Sequence, residues 1–315
     1  MALATVGAYL KNCTLSCKEY LHAYKQQFNI NPQRPTQLSE CQYRTLYTTW
    51  DLSYHRLKRD DPDAAHLLGL LAYFDYQSVW YELLRAGIND DSPTWLINAM
   101  THIVEFENRM TTMVEYCFME VISSNESYNM HVCVHDWAFA CLNKAIDAQS
   151  YWYVFDCIAK SIDHQDWLSL SHVRHAGLVP HAVRLMHDRF VDSHQFDNLT
   201  YGRLEGAVYT AELLKQRVQL VAAALMYTRV LAEFEKALGL EHASTLLVVN
   251  NVGLLYYDQG KFDKAEQMYV RALSGQKKAL GQDHLSTLTT IHNLGSLYRI
   301  QLKQDEAEQM YKRAL

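Results

Sequence analysis

Ala237-Leu238-Gly239-Leu240-Glu241-His242 returns 42 residues later as Ala279-Leu280-Gly281-Gln282-Asp283-His284. Asn251-Val252-Gly253-Leu254-Leu255-Tyr256 returns at the same offset as Asn293-Leu294-Gly295-Ser296-Leu297-Tyr298. Ala265-Glu266-Gln267-Met268-Tyr269 returns as Ala307-Glu308-Gln309-Met310-Tyr311. A constant offset of this size marks stacked supersecondary units rather than one closed core. The phase reaches further back. Ala223, Met226, Tyr227, Arg229 and Leu231 each stand 42 residues before Ala265, Met268, Tyr269, Arg271 and Leu273. The first helix of that earlier unit, Gly206 to Gln216, has lost the consensus residues, as terminal repeats do.

Within each unit the spacing has a physical reason. Gly253 and Ala265 are small and let two helices of one hairpin approach closely. Tyr256 and Tyr269 fill the gap to the next hairpin. Ser244 and Ser286 are read as N-caps of the first helices. Gly260, Lys261 and Asp263 belong to the tight turn between helices.

Composition agrees with a helical chain. Only 12 Gly and 5 Pro occur in 315 residues, and hydrophobic residues make up 49%, ample for cores. The net charge of −6 lacks the basic excess that phosphate or an anionic membrane surface requires. No apolar run reaches the length of a membrane span. The first ten residues lack the basic start of a signal peptide. Seven Cys, an odd number without a Cys-x-x-Cys pair, read as reduced thiols in a cytoplasmic protein. Cys13 and Cys17 share a helix face but have no further ligands nearby.

Upstream of the repeats the pattern is again mostly helical. Short helices are expected at Leu3–Leu10 and Ser16–Phe28, then at Thr48–Arg56 and Ala64–Phe74. Asp60-Asp61-Pro62-Asp63 is a helix start. Thr94 to Tyr116 is periodic. Cys117 to Ile122 and Tyr128 to His131 read as two strands around a turn at Ser123 to Ser127. Helices followed by a small hairpin form a winged-helix-like pattern. Its candidate recognition helix, Ile103 to Tyr116, holds Glu105, Glu107 and Glu115 against Arg109. An acidic helix is repelled by phosphate, so nucleic acid is not the expected partner. Tyr151 to Ile162 is helical and aromatic-rich. His164, His172, His175, His181 and His187 follow at irregular spacing, which gathers no metal site. His131 and His135 have the spacing of a zincin pair, with Asp136 adjacent. Val132 stands where that chemistry needs a glutamate base, so a zinc hydrolase is not expected.

Gly253, Tyr256, Ala265, Tyr269 and Ala272 have the spacing of the tetratricopeptide signature, and Gly295, Tyr298, Ala307, Tyr311 and Ala314 repeat it. The extra length, with Ala-Leu-Gly-x-x-His and a following Ser/Thr-Thr-Leu, resembles the kinesin-light-chain subclass. Upstream, Ala2 to Leu10, Thr48 to Tyr54, Trp80 to Leu84 and Tyr128 to Trp137 resemble the helical and winged-helix regions of fungal NLR-like STAND proteins of NB-ARC type. That resemblance implies a nucleotide-binding domain ahead of these regions. The phosphate loop of such a domain, Gly-x-x-x-x-Gly-Lys-Ser/Thr, occurs nowhere here. The chain is therefore expected to correspond to the C-terminal part of such a protein. The family's Met-His-Asp motif falls on Met130-His131-Val132. The match implies nucleotide sensing by His131, and Val132 breaks it.

The expected fold is mainly α: a helical, winged-helix-like module with a small β-hairpin, then an α-solenoid of tetratricopeptide helix hairpins. The expected division is a helical remnant at 1–46, a winged-helix-like domain at 47–150, a helical linker at 151–205 and repeats at 206–315. The repeats divide at 206–238, 239–280 and 281–315. The expected function is a non-catalytic scaffold, the sensor or regulatory part of a STAND-type receptor. It would bind a protein or peptide in a concave groove lined by the first helices. Counting from the signature places Leu247, Asn250, Asn251, Leu254 and Tyr257 in that groove. From the next unit it places Thr289, His292, Asn293, Ser296 and Arg299. Asn251 and Asn293 each donate and accept, and so could hold an extended peptide backbone. No cofactor, metal or catalytic residue is expected, nor a membrane partner. The second helix ending at Leu315 is expected to leave an apolar end face open to self-association. The alternative is nucleotide-gated assembly, ADP or ATP bound, once a nucleotide-binding domain completes the chain.

Overall fold

The computed structural model describes residues 40–122, 127–162, 172–186 and 200–314, with side chains from residue 47 and, in the third of these stretches, from residue 176. The helices expected at Leu3–Leu10 and Ser16–Phe28 lie outside the described residues, as do His164 and His187. Fourteen helices and one two-stranded sheet make up the described chain, so the architecture is mainly α as expected. It divides into two compact units, one reaching Ser161 and one starting at Ile162.

In the first unit the helices are α1 (Glu40–Asp60), α2 (Pro62–Leu71), α3 (Tyr81–Ala86), α4 (Thr94–Thr101) and α5 (Ile103–Glu115). Strands β1 (Met119–Ile122) and β2 (Ser127–Met130) follow, then α6 (Val132–Cys141) and α7 (Ala148–Lys160). β1 and β2 pair antiparallel, with Met119 opposite Met130 and Ile122 opposite Ser127. Val79 adds a bridge to Tyr128, exchanging backbone hydrogen bonds of 2.9 and 2.8 Å. The core is aromatic. Trp137 stacks on Phe118 at 5.8 Å, and its indole N–H donates to the buried Asp51 carboxylate at 3.0 Å. Such pairing removes the cost of burying either polar group.

Helix α2 starts where Asp61, with Pro62 behind it, accepts from the Ala64 N–H. Arg109 of α5 reaches the same place, 3.1 Å from Asp61 and 3.7 Å from Asp63. The one cation of the acidic helix thus ties α5 to α2. The stretch from Thr94 to Tyr116 breaks at His102, whose extended backbone separates α4 from α5. α7 docks on α3. The contact is close: a Cβ on Gly87 would lie 2.3 Å from Cys157 Sγ, and Tyr153 donates to the Leu84 carbonyl at 2.5 Å.

The second unit opens with α8 (His172–Arg184), which packs on α9 (Tyr201–Gln216). Then come α10 (Leu220–Leu238), α11 (Ala243–Asp258), α12 (Phe262–Ala279), α13 (Leu285–Ile300) and α14 (Gln304–Ala314). They pair as three hairpins, α9/α10, α11/α12 and α13/α14, each packed on the next. The same turn closes each hairpin. Val218, Gly260 and Leu302 all take the left-handed conformation, with φ of 61°, 71° and 62°. In each turn the following amide reaches back five residues: Gln219 to Leu214, Lys261 to Tyr256, Lys303 to Tyr298. These bonds satisfy carbonyls at the helix end.

Between hairpins, Gly239 and Gly281 take φ of 91° and 93°. Their carbonyls accept from Thr245 and Thr287 hydroxyls at 2.9 Å. The N-caps of α11 and α13 are His242 and His284, not the serines expected. Each imidazole Nδ1 accepts from the amide of that serine, at 3.2 and 3.1 Å. An unprotonated imidazole nitrogen serves as the cap oxygen usually does. Gly253 and Gly295 sit where a Cβ would meet the Tyr269 and Tyr311 rings at 2.7 and 3.0 Å. Tyr269, Leu273, Ile291, Leu294 and Leu297 form the buried core between the second and third hairpins. On α14, Gln304, Asp305, Glu306, Glu308, Gln309, Lys312 and Arg313 are exposed, and elsewhere in the same hairpin so are Leu285, Ile300 and Leu302.

Candidate functional site

The first helices of the second and third hairpins, α11 and α13, contact one another directly. Every residue counted into the groove lies on α11 or α13. The structure does not treat them alike. Leu247, Thr289, His292 and Arg299 are exposed, and Asn251, Leu254, Tyr257, Asn293 and Ser296 are half-buried. Asn250 is buried and is used in packing. Its Oδ1 accepts from Thr290 and from Asn293 Nδ2, both at 3.1 Å. Thr290 also lies 2.7 Å from the Gln276 carboxamide oxygen, itself buried. This polar knot locks the second hairpin to the third, and it engages Asn293. Asn251, its counterpart, has no side-chain hydrogen bond among the described residues. His292 packs on the Tyr311 ring at 5.4 Å, and Ser296 Oγ lies 3.2 Å from the Tyr311 hydroxyl.

Three charged residues at or beside the equivalent repeat positions lie outside the set drawn from the signature. Glu212 and Lys215 lie on α9, and Asp258 ends α11. Lys215 Nζ is buried 2.9 Å from Glu212, which also accepts from the buried Tyr227 hydroxyl at 3.0 Å. Burial, then the charge and hydrogen bond of Glu212, push the Tyr227 phenol well above its ordinary range. Burial raises the Asp258 carboxyl as well; Lys215 opposes the shift and Glu212 adds to it. The signal was present in the sequence. Glu212 and Lys215 stand 42 residues before Leu254 and Tyr257, but the degenerate first helix was not counted.

His131 lies in the first unit as the N-cap of α6. Its Nδ1 accepts from the Cys133 amide at 3.2 Å, and the residue is exposed. His135 is buried, with Nε2 2.9 Å from the Phe74 carbonyl oxygen. The two rings thus serve separate structural bonds. No cluster of three or more metal-ligating side chains occurs among the described residues. No described helix is long and apolar enough to cross a membrane.

Residues 241–315 match the family model of the tetratricopeptide repeat. No curated protein matches the chain. Among solved structures it is similar to BtubC from P. vanneervenii, at 17% identity over 93% of this chain and 89% of that one, with a TM-score of 0.41. It is also similar to a signal-transduction ATPase with numerous domains (STAND) carrying a tetratricopeptide repeat sensor, from Pyrococcus horikoshii. That match has 13% identity and a TM-score of 0.26, and covers 99% of this chain and 58% of the other.

Proposed function

We propose that the three hairpins of the second unit bind an extended peptide segment of a partner protein across the faces of α9, α11 and α13. The observation that carries this reading is Asn251. Its amide is half-buried on that face and unbonded among the described residues, while its counterpart Asn293 is committed to Asn250. An amide held there offers a donor and an acceptor at fixed spacing, as a peptide backbone requires. Leu247 beside it is exposed at 45% and supplies apolar contact. The chain is a scaffold in this reading, with no catalytic step assigned to it. The first unit, with its helices and hairpin, is the winged-helix-like regulatory module of a cytoplasmic, fungal NLR-like STAND protein of NB-ARC type. The nucleotide-binding domain of that protein is not in this sequence. The repeats are kinesin-light-chain-like, and the domain division is the one drawn from the sequence. Self-association through the last hairpin would use its exposed Leu285, Ile300 and Leu302 beside the polar side chains of α14.

The test is selection of phage-displayed random dodecapeptides on the full chain. Peptides recovered on the native chain should bind Asn251→Ala at least tenfold more weakly. Equal recovery on both chains removes the groove from the account.

The second reading is nucleotide-gated assembly. One feature favours it: His131 is exposed at the start of α6, and only its Nδ1 is engaged among the described residues. Calorimetry with ADP and ATP decides it, and an absence of heat ends it.

A further inference from the structure

The junctions between hairpins rest on imidazole. His242 opens α11 and His284 opens α13, and each Nδ1 accepts from the amide two residues on, at 3.2 and 3.1 Å. His131 caps α6 of the first unit in the same way, at 3.2 Å. A threonine completes each junction: Thr245 and Thr287 donate to the carbonyls of Gly239 and Gly281, both at 2.9 Å. Cap and threonine together hold the chain as it leaves one hairpin and enters the next. Leu247 and Thr289 follow about a turn further along the two helices.

An imidazole differs from the hydroxyl and carboxamide caps that most helices use. Its Nδ1 accepts only while that nitrogen carries no proton. Protonation turns the acceptor into a donor facing an amide N–H, and sets a positive charge at the positive end of the helix dipole. Both effects oppose the folded junction. Glu241 and Asp283 precede the two imidazoles in the chain, so they act on them in the folded and the unfolded chain alike. Lys278 of α12 reaches Glu241 at 4.0 Å. The helices that run to these ends bring further cations in their last turns: Lys236 on α10, Lys277 on α12, Lys312 and Arg313 on α14. Of the acids near the end of α10, Glu233 pairs with Lys236 and Glu235 with Arg271. From α9 comes the Tyr201 hydroxyl, 3.3 Å from Ser244 Oγ.

We propose that both junctions are proton-sensitive: the caps His242 and His284 hold successive hairpins together while unprotonated, and release the first turns of α11 and α13 on taking a proton. The fold holds the unprotonated form, so the unfolded chain binds more protons and stability rises with pH. The stack is therefore tight above the range in which imidazole takes its proton, between about pH 5 and 8, and loosens as pH falls through it.

The test compares the full chain with the double variant His242→Asn and His284→Asn. Asparagine leads the N-cap ranking, and its carboxamide does not titrate. The other histidines titrate in both proteins, so the difference between the two isolates the caps. From about pH 7.5 to about pH 5.5 the native chain should lose about 4 °C of Tm more than the variant does. Equal losses overturn the proposal. Hydrogen exchange on the native chain gives a readout that needs no variant. Over the same interval, and corrected for the intrinsic pH dependence of exchange, protection of the Ser244 and Ser286 amides should fall about fivefold. The Lys261 and Lys303 amides, which bond to carbonyls in the hairpin turns, should keep theirs. Serine amides that hold their protection, or that lose it only in step with the two lysines, overturn the proposal as well.

Discussion

At the residue scale, three hairpins need the same left-handed turn and only one has glycine for it. Val218 and Leu302 hold φ near 60° where Gly260 does so freely, and a β-branched valine there is the least tolerant. Both side chains are largely exposed, at 75% and 80%, so nothing in packing offsets the strain. Val218→Gly should therefore stabilise the second unit by about 1 kcal/mol, seen as a rise in Tm. Asp258 carries a prediction of its own. Its carboxyl is raised in the fold, so the fold binds its proton more tightly than the unfolded chain does. The penalty is full above the raised value and vanishes below the unfolded one. Asp258→Asn should melt higher than the native chain near pH 7, with the gap closing as pH falls through the carboxylate range. At this scale the sequence was partly legible. Hydroxyls lead the N-cap ranking and so point to Ser244 and Ser286, while the imidazoles two residues earlier hold the bonds.

At the element scale, the small residues of the repeat explain how two helices of a hairpin meet. The contact is tighter at Gly253 than at Gly295: an added Cβ meets the tyrosine ring at 2.7 Å in one and 3.0 Å in the other. Gly253→Ala should cost about 1–3 kcal/mol by overpacking, and Gly295→Ala measurably less, in denaturant titrations of each variant. This much follows from spacing alone, since a glycine and a tyrosine at fixed offsets can be read directly. What spacing could not show is how each tyrosine hydroxyl is satisfied. Glu212, Leu254 and Ser296 occupy one repeat position with three chemistries, and only the packed hairpins reveal that one hydroxyl goes unbonded. Likewise Asn250 reads as a groove residue by count. Its burial beside Thr290 and Gln276 depends on how neighbouring hairpins stack. Thr290→Val should remove the single hydroxyl proton of that knot, leaving one buried amide oxygen short of a donor, at a cost of about 1–3 kcal/mol.

At the scale of the whole molecule, the stack is a nearest-neighbour structure in which each hairpin is stabilised by the next. Its period made the architecture legible, because identical contacts recur at identical offsets. The first unit was legible in outline, as helices and then a hairpin. The break at His102 was not, because the apolar periodicity runs past it and only the backbone turns. In the proposed function, binding falls to the unengaged Asn251 and the exposed Leu247. The most direct measurement is photo-crosslinking of a selected dodecapeptide carrying a benzophenone residue, with the attachment sites read by mass spectrometry. The account predicts adducts on Leu247, Tyr257 and His292, along the first helices. Adducts confined to the outer faces of the second helices, at Val221 or Val270, would contradict it.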